Sequence, residues 1–181
     1  EIPFDFARRR LSVIVSDGQK TQMITKGAVE EILGISTMVD YQGNVSPITN
    51  AIKENIKKIT KDLNKQGLRV VAVCQKNNLE KTSEFTVSDE KNMVLIGFIG
   101  FLDPPKESAK SSIEKLNKNG IRVIVLTGDN VEVTKCICDK VGIKSPQIVI
   151  GSQIDKLQDI AVKRLLKKTN IFAKLSPIQK A

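Results

Sequence analysis

The stretch 94–130, running V-L-I-G-F-I-G-F-L-D-P-P-K-E-S through G-I-R-V-I-V-L-T-G-D-N, constrains the fold of this chain more than any other. An apolar run ends at Asp103-Pro104-Pro105-Lys106. A helical pattern follows to Gly120, and a second apolar run, Ile121 to Leu126, stops at Thr127-Gly128-Asp129-Asn130. The order reads as strand, helix, strand, with polar chemistry at the carboxyl end of each strand, where open α/β sheets bind ligands. Residues 106–118 place Ala109, Ile113 and Leu116 on one face. Residues 121–126 are apolar and rich in β-branched types, which predicts a central strand buried on both faces. Beyond them the pattern predicts a helix over 131–141 with Val133, Cys136, Ile137 and Val141 inward and Gly142 at its C-cap. A strand at 148–150, a helix at 153–168, a strand at 170–173 and a helix opening at Ser176-Pro177 complete a run of βαβ units.

The residues before this stretch read as a different module, with the boundary near 97–104. Runs 11–16 and 20–25 flank Asp17-Gly18, a hairpin signal. Ala28, Ile32 and Ile35 fit a short helix. Ser46-Pro47 reads as the N-cap and first position of a longer helix. That helix carries an apolar stripe of Ile48, Ile52, Ile56, Ile59 and Leu63 and ends at Gly67. Residues 68–74 form a strand, residues 76–92 a polar loop or exposed hairpin arm, and residues 93–102 the next strand. The fold class is α/β: an α+β domain with an antiparallel sheet and flanking helices, then α/β units.

Composition narrows the chemistry. The 181 residues suffice for one good core or two small ones. No apolar run reaches roughly 18 residues, so nothing in the sequence reads as a membrane span. The net charge of +9 fits an anionic partner or lysines spread over solvated helix faces. The second reading is simpler, because aromatics are 4% and no stacking array accompanies the charge. The three cysteines, Cys74, Cys136 and Cys138, lack metal-site spacing. Histidine is absent, so a Ser-His-Asp or Cys-His mechanism cannot be built.

The candidate site residues each admit two readings. Thr127-Gly128-Asp129-Asn130 is an anion-binding loop, with backbone donors, a hydroxyl and a helix N-terminus, or a plain strand-to-helix turn capped by Asn130. Lys180, at the start of a helix, reaches a phosphoryl group at the sheet edge or is an exposed lysine. Lys26-Gly27-Ala28 places a cation beside a flexible residue at a strand end. Phe4 with Arg8 to Arg10 offers an aromatic face and cations, or is a core phenylalanine beside a solvated charge run. Arg69 opens a strand and projects into the same cleft or lies on its surface. Asp103 and Asp129 form a metal or acid/base pair, or Asp103-Pro104-Pro105 is a stiff hinge.

Taken together and in order, E-I-P-F-D-F, R-R-R-L-S-V, K-G-A-V-E-E-I-L, G-L-R-V-V-A-V, G-F-L-D-P-P-K-E-S, V-L-T-G-D-N and F-A-K-L-S-P-I-Q-K resemble the cytoplasmic catalytic part of P-type cation-transporting ATPases. The phrasing is most similar to the bacterial magnesium-transporting branch, with a calcium or other cation pump as the alternative. The resemblance implies a nucleotide-binding domain lacking its first part over 1–97. It implies part of a phosphorylation domain, with a haloacid dehalogenase-like Rossmann fold, over 98–181. By position Phe4 matches the adenine-stacking residue, Lys26 and Gly27 the nucleotide pocket, Arg69 an arginine at the ATP phosphates and Arg9 a pocket cation. Asp103 and Lys106 match the interdomain hinge, Thr127, Gly128 and Asp129 the phosphoryl-contacting loop, and Lys180 the neutralising lysine. The implied cofactors are ATP and Mg2+. The implied partners are the membrane and actuator domains of the same pump, at the cytoplasmic side of the cell membrane, and no nucleic acid. The family's D-K-T-G-T and T-G-D-G-x-N-D are absent from these residues. No metal ligand is therefore assigned, and the chain alone is expected to bind nucleotide weakly without turning it over. A stand-alone phosphatase would need a D-x-D or D-x-T nucleophile after an early strand, and none is in context.

Overall fold

The computed structural model describes residues 1–79, 84–144 and 147–180. They form two compact units: residues 1–61 with 70–101, and residues 62–69 with 102 onward.

The first unit is built on a seven-stranded sheet. Strands β1 (Ile2–Asp5), β2 (Arg10–Ser16) and β3 (Thr21–Gly27) are followed by helix α1 (Val29–Ile35). Strands β4 (Ser36–Tyr41) and β5 (Asn44–Pro47), helix α2 (Asn50–Lys65), and strands β6 (Leu68–Asn77) and β7 (Met93–Leu102) complete it, except that the last turn of α2, Leu68 and Arg69 of β6 and Leu102 of β7 belong to the second unit. The spatial order is β1-β2-β3-β6-β7-β4-β5. Asp17 closes the β2–β3 hairpin by accepting the amides of Gln19 and Lys20, with Gly18 at φ 91°. Alternation then buries Met23 and Thr25 while Ile24 and Lys26 face outward. The core joins Met23, Val29, Ile32, Ala72, Met93 and Leu95.

Two expectations are corrected in this unit. The sheet is not purely antiparallel, because β4 runs parallel to β7. Helix α1 passes into β4 through Ser36 without a loop, and the Ser36 hydroxyl donates to the Ile32 carbonyl at 2.7 Å. Ser46-Pro47 does not open a helix. It ends β5, paired with β4 around the Gln42-Gly43 turn, where both residues have positive φ. Proline is tolerated there because β5 is an edge strand. Helix α2 starts at Asn50, with the Thr49 hydroxyl accepting the Ile52 amide. Ile56 on its stripe is buried, but Ile59 is half-exposed. Within 76–92, residues 80–83 lie outside the described residues. The described part holds a short 3-10 turn, Val87–Asp89, and no hairpin strand beyond the end of β6.

The second unit holds a parallel three-stranded sheet in the order β8-β10-β9, with β8 Val125–Leu126, β9 Val149–Ile150 and β10 Ile171–Ala173. Helices α3 (Ala109–Lys118), α4 (Val131–Val141), α5 (Gly151–Ile154), α6 (Asp159–Lys168) and α7 (Pro177–Lys180) connect and flank these strands. Asn130 caps α4 by accepting the Val133 amide at 2.9 Å, and Gly142 ends it at φ 78°.

Here too the pattern misleads in places. Residues 121–126 are not a central strand. β10 is central, and β8 has β10 as its partner among the described residues. Val123 and Val125 pack inward while Ile121, Ile124 and Leu126 remain 52%, 42% and 46% exposed. A β-branched run favours the extended backbone but does not report how many faces are covered. Helix 153–168 is two helices, broken where Asp155 accepts from the Gln179 side chain at 2.5 Å. On α4 the buried cysteine is Cys138 rather than Cys136. Among the described residues no helix is long and apolar enough to cross a membrane.

Candidate functional site

In the second unit, the parallel sheet brings the T-G-D loop to the carboxyl end of β8. The Thr127 amide donates to the Phe172 carbonyl at 3.0 Å. The Leu175 and Lys174 amides donate back to the Thr127 and Asp129 carbonyls at 3.0 and 2.8 Å. The loop is therefore laced to the segment that follows β10, which leads into α7. That lacing carries Lys180 to the loop: its Nζ lies 4.0 Å from the position a Cβ on Gly128 would take. The Asp129 amide donates to Thr127 Oγ1, and that hydroxyl donates to Asp129 Oδ2, both at 3.1 Å. Arg69 then completes the group. Its Nη2 donates to Asp129 Oδ2 at 2.9 Å and its Nη1 lies 3.3 Å from Asp103 Oδ2. Of the sequence candidates in this unit, Arg69, Asp103, Thr127, Gly128, Asp129 and Lys180 come together. Lys106 is exposed, and its carbonyl accepts the Ala109 amide ahead of α3.

This grouping also bears on the carboxylate pair. The Arg69 guanidinium lies between the Asp103 and Asp129 carboxylates. Among the described residues no three His, Cys, Asp or Glu side chains converge on a point. The described residues do not form a Mg2+ cage of their own.

In the first unit, Phe4 is not a core residue. It is 50% exposed and meets Phe6 edge-on with ring centroids 5.2 Å apart. Lys26 is exposed and stands opposite Leu11 on β2 and Val73 on β6. Gly27 stands opposite Arg10, and a Cβ there would meet Arg10 Cβ at 2.5 Å and the Arg9 carbonyl at 2.6 Å. The glycine is needed for the approach of two backbones, the Ala28 amide donating to the Arg9 carbonyl at 3.0 Å. Arg9 has φ 49° and pairs with Glu31 on α1.

Sequence reasoning missed Glu90, which organises this end of the sheet. Its side chain is 0% exposed. Oε1 accepts from Arg8 Nη1 and Ser12 Oγ at 2.8 and 2.7 Å, and Oε2 from Arg8 Nη1 and Arg10 Nε at 2.8 and 2.6 Å. Ser12 in turn shares a 2.7 Å hydrogen bond with Thr25. Burial alone would push the carboxyl upward, but the Ser12, Arg10 and Arg8 donors outweigh it and hold it below its ordinary value. Nearby, burial pushes the Cys74 thiol up to about 11. A partial signal for Glu90 was present: Arg10 and Ser12, two apart on β2, share one face of the strand, whereas Arg8 lies in the turn before it.

Comparison with known proteins places the chain in a family. The family model for the P-type ATPase, cytoplasmic domain N, matches residues 1–108. The chain therefore belongs to the P-type ATPases. It is 41% identical over 181 residues to the magnesium-transporting ATPase, P-type 1, of Escherichia coli K12, and equally to its namesake in Salmonella typhimurium 14028s. A calcium-transporting ATPase of Listeria monocytogenes is 29% identical over 182 residues. These alignments cover 99% of this chain, which spans about a fifth (20 to 21%) of those relatives' length.

Proposed function

We propose that this chain is the ATP-binding and phosphoryl-transfer part of a P-type ATPase that couples ATP hydrolysis to movement of Mg2+ across a membrane. In this reading residues 1–97 belong to the nucleotide-binding domain and residues 98–181 to a phosphorylation domain with a haloacid dehalogenase-like Rossmann fold. The parallel β8-β10-β9 sheet with flanking helices supports the latter. The observation that carries the reading is the convergence of the T-G-D loop, Arg69 and Lys180 at one strand end. Two cations beside backbone donors and a hydroxyl are what a transferred phosphoryl group requires.

Phe4 stacks on the adenine, while Arg9, Lys26 and Gly27 line the nucleotide pocket. Asp103 and Lys106 form the hinge that delivers the nucleotide. Transfer runs in line from ATP to an aspartate, and water later releases the phosphate from the aspartyl phosphate. A carboxylate suits this role, since it is ionised at neutral pH. During transfer Lys180 and Arg69 neutralise charge on the moving group, and the Thr127 hydroxyl with the loop amides orients it. Mg2+ enters with the ATP phosphates, and no step is drawn through a protein-held metal. These 181 residues contain no D-K-T-G-T, so the chain alone binds ATP without turning it over. Its partners are the membrane and actuator domains of the same pump, on the cytoplasmic side of the cell membrane.

A calcium pump is the second reading, favoured by the Listeria relative at lower identity. An NMR titration of the chain with Mg·ATP tests nucleotide binding. It should shift the resonances of Phe4, Lys26 and Arg69, and a titration that moves none of them refutes the assignment.

A further inference from the structure

The nucleotide reading assigns roles to Phe4 and Arg9 but leaves unexplained how two exposed side chains on a short edge strand and a tight turn are held in place. The segment 5–9 is wound around its own backbone: the Ala7 and Arg8 amides donate to Asp5 Oδ1 at 2.9 and 2.8 Å, and the Arg9 amide to the Asp5 carbonyl at 2.7 Å. The backbone ties this turn to the sheet at its ends, through Asp5 opposite Arg10 and the Ala28 amide at the Arg9 carbonyl. The side-chain tie between them is Arg8. Its Nη1 donates to both oxygens of Glu90, and its Nη2 donates to the Pro3 carbonyl at 2.7 Å, one residue from Phe4. On the other side, Arg10 is drawn to the same carboxylate. Arg9 is thus the middle of three arginines whose neighbours are both pinned inward, and with its φ of 49° it pairs with Glu31, which Arg10 Nη1 also approaches at 3.9 Å.

From this geometry we propose that Glu90 is a positioning residue of the nucleotide site, holding Phe4 through Arg8 and the Pro3 carbonyl and holding Arg9 by pinning the arginines on either side of it. The proposal rests on the nucleotide-binding reading above. Glu90 touches no ligand; it removes in advance the ordering cost that two loose side chains would add to binding. The carboxylate is suited to this because it is fully buried and meets four donated hydrogen bonds, so it has no solvent-exposed alternative.

The test turns on the sign of the effect. Glu90→Gln raises the net charge of the chain by one, so a purely electrostatic role predicts tighter ATP binding. Positioning predicts weaker binding, by roughly tenfold, for both Mg·ATP and adenosine, which has no phosphate to sense the charge. Affinities are measured by calorimetric titration of the 181-residue chain, with folding checked by urea unfolding. Glu90→Asp should recover part of the loss. Arg8→Lys keeps the charge but cannot span Glu90 and the Pro3 carbonyl together, so it should weaken both ligands and shift the Phe4 ring resonances even if Glu90→Gln fails to fold. Unchanged or tighter binding of both ligands by a folded Glu90→Gln, or by Arg8→Lys, overturns the proposal while leaving the nucleotide reading intact. Absence of ATP binding by the unmodified chain overturns the nucleotide reading and the proposal with it.

Discussion

The two units each contain a cluster of arginine and carboxylate side chains, built in opposite ratio and opposite surroundings. In the first, one carboxylate, Glu90, is shared by two guanidiniums, Arg8 and Arg10, and is sealed from solvent. In the second, one guanidinium, Arg69, lies between two carboxylates, Asp103 and Asp129, and is 48% exposed. A buried charge is tolerable only when several donors replace its water, so every member of that cluster is committed. An exposed ion pair contributes little, and its members exchange partners at small cost. The buried cluster is therefore suited to holding the chain in shape. The exposed one is suited to releasing its arginine and loop to an incoming anion.

The largest effect should follow from emptying the buried cluster. Glu90→Ala removes the carboxylate shared by two inward guanidiniums, leaving Arg8 the Pro3 carbonyl and Arg10 a 3.9 Å contact with Glu31, and should lose about 3–5 kcal/mol of stability in urea unfolding. A loss below about 1 kcal/mol would show that the cluster is as adaptable as the exposed one. Next is Gly27→Ala, whose methyl group would meet Arg10 Cβ and the Arg9 carbonyl. Forcing β2 and β3 apart there should cost about 1–3 kcal/mol, read in the same assay. An alanine tolerated without loss would mean that this approach is slack.

The pH dependence follows from Glu90. Its folded-state carboxyl lies below the ordinary value of 4.5, so the unfolded chain binds the proton more readily. The stability it contributes is complete above that value and is lost as pH falls below it. Thermal unfolding from pH 7 to 3 should show this fall, flattened in Glu90→Gln. The smallest effect is expected at the exposed cluster. Arg69→Ala should change stability by less than about 1 kcal/mol while weakening ATP binding, measured by unfolding and titration together. A large stability loss with unchanged ATP affinity would reverse the comparison.

What the sequence by itself determined is what has a local cause. Asp17-Gly18 turns because an Asp oxygen can accept the two amides that follow it. Asn130 caps α4 because its oxygen reaches the Val133 amide, and Gly142 ends that helix because it accepts a left-handed backbone. Family membership was legible for a related reason: its motifs are short, and their order survives without knowing where they fold. Tertiary structure decided what depends on neighbours distant in the chain. Ser46-Pro47 is a good helix start in isolation, yet it became an edge strand because β4 offered it a partner. The run 121–126 was read as covered on both faces, but coverage is a property of the sheet, and β10 took the centre. Glu90 sits in a polar stretch that reads as solvated loop. Only the order of the strands brings it beneath Arg8, Arg10 and Ser12, about eighty residues away in sequence, where burial turns an ordinary glutamate into the anchor of the sheet's edge.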